Sequence, residues 1–435
     1  MWLSMTVDKT EPLLPAAAAP PATEGGARAR AACINLIATT VGAGVLAVPI
    51  SFSYCGLLPG VAILCFFGWL SDASLCFLAT AAHVVNASSY ADLGERVYGR
   101  VGRSLVLWSL LALLVGAVVQ VSICITDIVA LLLEESFGRA PERAHISIAL
   151  TVGIMPLCLP RQIHSLRFLS TASVLAIFFT TACVVGLAFG ERPRTPDAEE
   201  AWRLVKPPSG SWALATPIHS LAYCSQFQVF ELANDLPASQ RHLLPGIVHI
   251  AMAVAAAIYA LVGTTGYVLL GERAALYPNI LTAFGYDRTV LMGSAAIAIV
   301  NVLKLPLLVL PLRSLLLEQL HVPPLGALSH GMLTVALVGL LGSVASATHD
   351  LAYAFQLSGC TAGTMVCFCL PGLLLFGAHR LARQRETLLH MTTMADPPRS
   401  SRIAALLPTW SECAGLLMGG VGAMSGLVCL VVLLA

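Results

Sequence analysis

Polar side chains interrupt several long apolar stretches of this 435-residue sequence. A charged or amide side chain is costly inside a bilayer, so each of these residues is a candidate functional group. The densest cluster lies between Tyr223 and Glu231 and reads Tyr-Cys-Ser-Gln-Phe-Gln-Val-Phe-Glu. One carboxylate and two amides so close together predict the lining of a polar cavity or a polar contact with another helix.

Two more ionisable residues lie inside apolar stretches. Lys304 is in the middle of the run 290–317, too far from either end for its ammonium to reach the interface easily. If Lys304 has a structural role only, we expect it to form an ion pair with Glu231 or Asp127. Asp127 lies closer to the end of its own stretch, and a water-exposed structural acid and a proton carrier both remain open for it.

The stretch that begins at Asn35 contains a weak point for a helix. Gly42 and Gly44 are followed by Pro49; glycine lowers helix propensity by about 1 kcal/mol and proline removes a backbone hydrogen bond. A helix broken at mid-membrane exposes N–H groups at a positive dipole end, which suits a substrate carboxylate. Close helix packing by small residues explains the motif equally well.

The elements that must position these residues are membrane helices. Hydrophobic residues make up 57% of the chain, charged residues 11%, and the mean hydropathy is +0.83; soluble domains are roughly 45–50% apolar and about 25% charged. A spanning helix needs about 20 mainly apolar residues. Eleven stretches are predicted to span, at 31–54, 60–83, 104–132, 145–160, 168–190, 212–234, 245–270, 289–317, 330–347, 353–378 and 409–434.

The flanking charges predict the orientation. Most lysines and arginines lie on one side if the N-terminus is cytosolic, and an odd number of spans then leaves the C-terminus luminal or extracellular. Residues 1–30 are predicted to be a disordered cytosolic tail and residues 31–434 a single membrane domain. The sequon at Asn86 falls on the cytosolic side, so we expect it to be unglycosylated.

The sequence gives no indication of an enzyme, a metal site or a cofactor. The thirteen cysteines fall mostly in apolar stretches, where cysteine is a small buried hydrophobe, and none shows metal-ligand spacing with histidine. The closest pair, Cys367 and Cys369, suggests helix packing. The net charge of +1 gives no reason to expect nucleic acid as a partner, and the oligomeric state is unknown.

Five short motifs, in order along the chain, resemble the amino acid/auxin permeases. They are Gly42-x-Gly44-x-Leu46 with Pro49, the aromatic segment 223–230 ending in Asn234-Asp235-Leu236, Gly266 to Gly271 with Asn279, Pro306 to Arg313, and Gly359 to Gly363 with Leu370-Pro371-Gly372. The resemblance covers residues 31–434. It implies an all-α integral membrane protein with a LeuT-type fold, in which eleven helices form two inverted repeats of five plus one more.

The resemblance also implies an amino acid substrate and a site. The broken helices one and six would bind its α-carboxylate and α-amino group through free backbone N–H and C=O groups. The residues so implied are Thr39, Thr40, Val41, Gly42, Ala43, Gly44, Tyr223, Cys224, Ser225 and Gln226.

The sequence departs from the sodium-coupled members at the coupling site. Those members resemble this chain but carry an asparagine where Ala38 stands and hydroxyl residues near Val302 and Lys304. A cation site that loses oxygen ligands and gains an ammonium is unsuited to Na⁺. We therefore expect Lys304 to act as a tethered cation, with transport coupled to H⁺ or uncoupled.

Two further departures affect the ion-coupling set of Lys304, Glu231 and Asp127. Gln226 stands where many relatives have a histidine, which argues against a histidine pH sensor there. Glu231 could pair with Lys304, carry a proton or favour a basic substrate, and the sequence does not rank these three roles.

The prediction from sequence is a secondary active amino acid transporter working by alternating access, either symporter or antiporter. The alternative is a non-transporting amino acid sensor of the same fold. An imperfect acidic dileucine motif at Leu13-Leu14 favours a vacuolar, lysosomal or other endomembrane location over the plasma membrane.

Overall fold

The computed structural model describes residues 22–160, 167–189, 202–284, 287–323, 325–348, 350–393 and 409–434, and the regular structure in these ranges is helical. The α-helices are α1 (Ala22–Thr40), α2 (Val48–Cys55), α3 (Leu57–Val85), α4 (Tyr90–Phe137), α5 (Arg143–Cys158), α6 (Arg167–Phe189), α7 (Ser211–Ala222), α8 (Val229–Asp235), α9 (Leu244–Leu270), α10 (Arg288–Gln319), α11 (Ala327–Ala347), α12 (Leu351–Ser358), α13 (Leu370–Thr393) and α14 (Trp410–Leu434).

Helices occupy each of the predicted apolar stretches. Eight helices in the described ranges are long and apolar enough to cross a membrane, and nine if the bent pair α1 and α2 counts as one span. The remaining two stretches hold α5, which has only 16 residues, and the broken pair α7 and α8. The protein is therefore a multi-pass membrane protein, while eleven spans remain a prediction.

The N-terminal boundary differs from the predicted one. Helix α1 begins at Ala22, so residues 22–30, assigned above to a disordered tail, are helical. The dileucine motif and the rest of the predicted tail lie outside the described residues.

Small residues allow the helices to approach closely. A methyl group on Gly372 of α13 would lie 2.2 Å from the carbonyl oxygen of Gly415 on α14. Between α12 and α13 the helix widens into π-helical turns at Gly359–Gly363 and Met365–Cys369. There a methyl group on Gly359 would lie 2.2 Å from the carbonyl oxygen of Pro217, so this segment packs directly on the backbone of α7.

The loop before α7 covers one end of the bundle. Gly56, which joins α2 to α3, has φ +93°, a conformation that favours glycine. Its neighbour Leu57 donates a backbone hydrogen bond to Arg203 at 3.1 Å. The Lys206 ammonium donates to the Ser53 carbonyl at 2.8 Å and pairs with Glu272 at 3.3 Å. The loop thereby ties α2 to the end of α9.

Cysteine behaves as predicted from its placement. All thirteen cysteines lie in described residues and are free thiols. Cys367 and Cys369 are buried, and their sulfurs point to the carbonyls of Ser220 and Gly419 on neighbouring helices. This placement confirms a packing role for the pair.

Candidate functional site

The predicted weak point in the first stretch is a real break. Helix α1 ends at Thr40, a short 3-10 turn covers Ala43–Leu46, and α2 begins at Val48 with Pro49 in its first turn. The helical segments on either side are bent by 49°. Proline suits the first turn of a helix because its missing N–H would have no partner there. The N–H groups that open the 3-10 turn are likewise left without partners inside it.

The polar cluster in the sixth stretch forms a second break. Helix α7 ends at Ala222, Tyr223 to Ser225 are non-helical, and a 3-10 turn at Gln226–Gln228 leads into α8. Tyr223, Ser225 and Gln226 are fully buried, and Cys224 is half-buried. The sequence cluster therefore marks an interruption of the helix as well as a polar surface.

The two breaks lie against each other. A methyl group on Gly44 would lie 3.1 Å from the Cα atom of Ala222, so this close contact favours glycine. Among the residues that the structure describes, a methyl group on Gly42 would meet only the Thr39 carbonyl oxygen at 3.9 Å, which leaves open space beside Gly42. The first glycine thus borders free volume and the second makes the closest approach between the breaks.

Tyr259 of α9 bridges both breaks. Its hydroxyl oxygen lies 2.7 Å from the carbonyl oxygen of Thr40 and 2.6 Å from that of Ala222. These carbonyls end α1 and α7, where a helix leaves its last C=O groups without partners inside it, and the Thr40 carbonyl also accepts the Gly42 N–H at 2.9 Å. The Tyr259 side chain is fully buried and its ring packs edge-on against Tyr223 at 5.0 Å. One hydroxyl proton serves two acceptors and Thr40 has the Gly42 N–H as well, so a further donor can bind at the Ala222 carbonyl.

The threonine hydroxyls at the first break are used locally. Thr39 and Thr40 donate to the carbonyls of Asn35 and Leu36, one turn back along α1. Such bonds satisfy a polar side chain without a ligand. What Thr39, Thr40, Val41, Gly42, Ala43 and Gly44 offer a substrate is therefore mainly their backbone.

Buried hydroxyls at the second break have no such partners. Within the described part of the chain, the hydroxyl groups of Ser220, Tyr223 and Ser225 are buried with no protein hydrogen-bond partner. Buried polar groups in proteins are nearly always paired, so this concentration of unpaired groups needs an explanation. The Tyr223 hydroxyl lies against Gly68 of α3, so a ligand between the breaks could serve only the two serine hydroxyls.

Gln226 faces away from the first break. Its amide nitrogen lies 3.3 Å from the Ser71 hydroxyl and 3.5 Å from that of Ser74, both on α3, and its amide oxygen accepts from the Ser225 N–H. Ser71 also donates to the Tyr223 carbonyl at 3.5 Å. The Gln226 side chain thus anchors the break to α3.

Lys304 reaches the first broken helix. Its ammonium donates to the Ala38 carbonyl oxygen at 3.1 Å, two residues before the end of α1. Among the described residues, Lys304 forms no ion pair, so neither predicted carboxylate partner is used. Asn301, one turn earlier on α10, donates to the Cys124 sulfur of α4 at 3.5 Å.

The two candidate acids lie apart from Lys304. Asp127 of α4 pairs with Arg143 of α5 at 2.5 Å, and both side chains are largely buried. This pair fits the structural interpretation of Asp127. Glu231 lies in α8, beyond the second break, and its side chain is exposed.

Sequence reasoning missed two buried residues at the breaks, Tyr259 and His219. His219 of α7 is fully buried, and its Nε2 lies 2.9 Å from the Ser51 hydroxyl of α2. Ser51 donates to the Val48 carbonyl at 2.6 Å, so it accepts from the imidazole. Neither residue has a charged or amide side chain beside it in its mainly apolar helix, so its signal in sequence is weak.

The protein has relatives of known family. The profile of the family described as "Transmembrane amino acid transporter protein" matches residues 25–395. Amino acid transporter AVT6B of Arabidopsis thaliana is 27% identical over 417 residues, covering 87% of this chain and 89% of the relative. Solute carrier family 38 member 10 of Mus musculus is 24% identical over 376 residues, covering 82% of this chain but only 34% of that longer protein.

A solved structure shares the fold. It is described as the substrate-bound outward-open state of a Na⁺-coupled sialic acid symporter, and it covers 92% of this chain and 88% of its own with a TM-score of 0.55. The sequence identity is 13%, so the similarity concerns the fold alone. The sequence relatives are transporters, in agreement with the prediction that the chain is not an enzyme.

Proposed function

This chain belongs to the transmembrane amino acid transporter family, that of the amino acid/auxin permeases, and on that premise we propose that it is a secondary active amino acid transporter that works by alternating access. The observation that carries the proposal is the pair of facing breaks. The ends of α1 and α7 and open space beside Gly42 lie at the contact between the breaks, and the second break also carries the buried Ser225 hydroxyl, which has no partner among the described residues. These are the groups that bind a zwitterion: N–H groups for its carboxylate and C=O groups for its ammonium.

We propose that different protein groups bind the carboxylate and the ammonium of the substrate. The α-carboxylate binds the N–H groups of the turn that follows Gly42, with the Ser225 hydroxyl as a further donor. The α-ammonium binds the Ala222 carbonyl, which shares the single Tyr259 proton with the Thr40 carbonyl. Gln226 and Cys224 shape the second break without touching the substrate's charged groups.

The proposed architecture is the LeuT-type one. It has eleven spans, with α1 and α2 as the first, the short α5 as the fourth, α7 and α8 as the sixth, and α14 as the eleventh, appended to two inverted repeats of five. The two broken spans are then equivalent positions of the two repeats. The similarity to the symporter structure supports this arrangement.

We propose that Lys304 takes the place of a driving sodium ion. Its ammonium contacts the Ala38 carbonyl, an oxygen that would otherwise be available to a cation. Transport is then coupled to H⁺ or uncoupled. Lys304→Met should abolish transport or its pH dependence. Lys206→Met, which removes an ammonium from the outer loop, is the control and should leave the pH dependence unchanged.

A binding and exchange experiment separates the transporter from an amino acid sensor. Each amino acid is tested for a rise in the melting temperature of the purified protein. Those that bind are then tested for counterflow in liposomes loaded with the unlabelled compound. A transporter accumulates label by exchange, whereas a sensor shows the rise in melting temperature and no exchange. We also propose an endomembrane location, which rests on the dileucine motif at Leu13-Leu14 and is tested by tagging the protein in cells.

A further inference from the structure

A cluster of metal-binding side chains lies outside the proposed substrate site. Asp72 and Cys76 are one turn apart on α3, and His249 lies opposite them on α9. Their potential ligand atoms all lie within 4.8 Å of one another. The imidazole Nδ1 already contacts both carboxylate oxygens of Asp72, at 2.7 and 2.8 Å. The geometry points to a binding site for Zn²⁺ or a chemically similar divalent ion.

The ligand set matches zinc. Carboxylate oxygen, thiolate sulfur and imidazole nitrogen are the three donors that Zn²⁺ uses in proteins, with bonds of about 2.0–2.3 Å. Tetrahedral coordination at such bond lengths places ligand atoms about 3.5 Å apart, so small side-chain rotations suffice here. Three protein ligands leave the fourth position for water.

The charge balance also fits a membrane protein. Zn²⁺ displaces the thiol proton of Cys76 and, where the imidazole is protonated, one proton from His249. One carboxylate, one thiolate, one neutral imidazole and Zn²⁺ then sum to zero charge. Asp72 is the only acidic or basic residue of α3 apart from His83, and His249 is the only one of α9. Each helix thus places an ionisable residue, which is costly in a bilayer, at the same contact.

The cluster is not enclosed by the protein. His249 lies within two turns of the start of α9, and its side chain is 58% exposed. The Asp72 side chain is 20% exposed, and Cys76 is half-buried. A bound ion would tie α3 to α9. These helices hold the breaks: Ser71 of α3 contacts Tyr223, and Tyr259 of α9 contacts Thr40.

Cobalt spectroscopy tests the site without reference to transport. The purified full chain in lipid nanodiscs is titrated with Co²⁺, which substitutes for zinc and is coloured. We expect ligand-field bands of a four-coordinate ion together with the charge-transfer band of one thiolate, and their loss on adding Zn²⁺. Zn²⁺ should also raise the melting temperature, because an ion that binds only the folded state stabilises it.

Single substitutions identify the ligands. Cys76→Ser should remove the charge-transfer band, and Asp72→Asn and His249→Ala should each weaken Co²⁺ binding at least tenfold. Cys65→Ser is the matched control, because Cys65 is an exposed thiol on the same helix, and it should leave the spectrum unchanged. Metal-free melting curves show that each variant is folded. A wild-type spectrum without a thiolate band, or a band that survives Cys76→Ser, would overturn the site.

Discussion

The hydroxyl of Tyr259 has one proton and two carbonyl acceptors, the ends of α1 and α7. Tyr259→Phe should lower the stability of the substrate-free protein by about 1 kcal/mol, the usual net contribution of one hydrogen bond. It should also impair transport, since the two breaks lose their common tether. Thermal unfolding and counterflow uptake measure the two effects.

Tyr223→Phe is the matched control for that substitution. The Tyr223 hydroxyl is buried with no protein partner in the described part of the chain, so its removal should not destabilise the protein. Equal losses of stability in the two variants would show that Tyr259 is an ordinary packing residue.

The two glycines of the first break should respond differently to a methyl group. Gly44→Ala forces a methyl group against the Ala222 backbone, at 3.1 Å, and should lower stability by about 1–3 kcal/mol. Gly42→Ala adds its methyl group to open space and should leave stability near wild type while lowering amino acid affinity.

Melting temperatures and substrate titrations of both variants check the pair. If Gly42→Ala is less stable than Gly44→Ala, or binds amino acids as tightly as the wild type, the roles given to the two glycines are wrong.

At the level of single residues, sequence predicts what depends on local chemistry. The glycine and proline spacing at Gly42, Gly44 and Pro49 predicts the break, because helix propensity is a local property. The contacts of Tyr259, His219 and Asp72 join helices far apart in the chain, and one sequence carries no record of such pairs. The partner of Lys304, the Ala38 carbonyl, is also far away in the chain. It is a backbone group, so no side-chain type in the sequence indicates it.

At the level of helices, Glu412 joins α13 to α14. It is fully buried, pairs with Arg383, and accepts from the Thr409 N–H at 2.8 Å. Thr409 and Glu412 form a capping box at the start of α14. Glu412→Ala removes both functions and should cost about 3 kcal/mol, because the Arg383 charge loses its carboxylate.

Glu412→Gln is the control that removes the charge of Glu412 but keeps an oxygen acceptor. Its amide oxygen can still accept from Thr409 and Arg383, so the loss of stability should be smaller than for alanine. Thermal unfolding of both variants in the same detergent checks the order, and equal losses would contradict the capping role.

The helix bounds follow from sequence more closely than the contacts do. Membrane helices must satisfy their own backbone, so apolar length alone predicts the ranges of α3, α6, α9 and α10. The prediction missed the first part of α4, from Tyr90, because these residues are polar and lie before a bend at Gly99, where φ is +67°. It also missed the π-helical turns, whose extra residues leave no compositional mark.

At the level of the whole molecule, the distribution of basic residues predicts which side each loop faces. The sequon at Asn86 lies between α3 and α4, on the predicted cytosolic side. We expect no shift in electrophoretic mobility on glycosidase treatment of the protein from eukaryotic cells. Asn86→Gln gives the electrophoretic mobility of the protein without a glycan. A glycan attached at Asn86 would show that the loop faces the lumen or the cell exterior and would contradict the predicted orientation.

Uptake of radiolabelled amino acids into proteoliposomes under an imposed gradient of either H⁺ or Na⁺ tests both amino acid transport and its driving ion. We expect uptake of at least one amino acid that is unaffected by a Na⁺ gradient. Any gradient-driven accumulation should follow the pH gradient and be lost in Lys304→Met. Sodium-driven accumulation by the wild type would contradict the role of Lys304. The absence of uptake and exchange for every amino acid that binds would contradict the transporter itself.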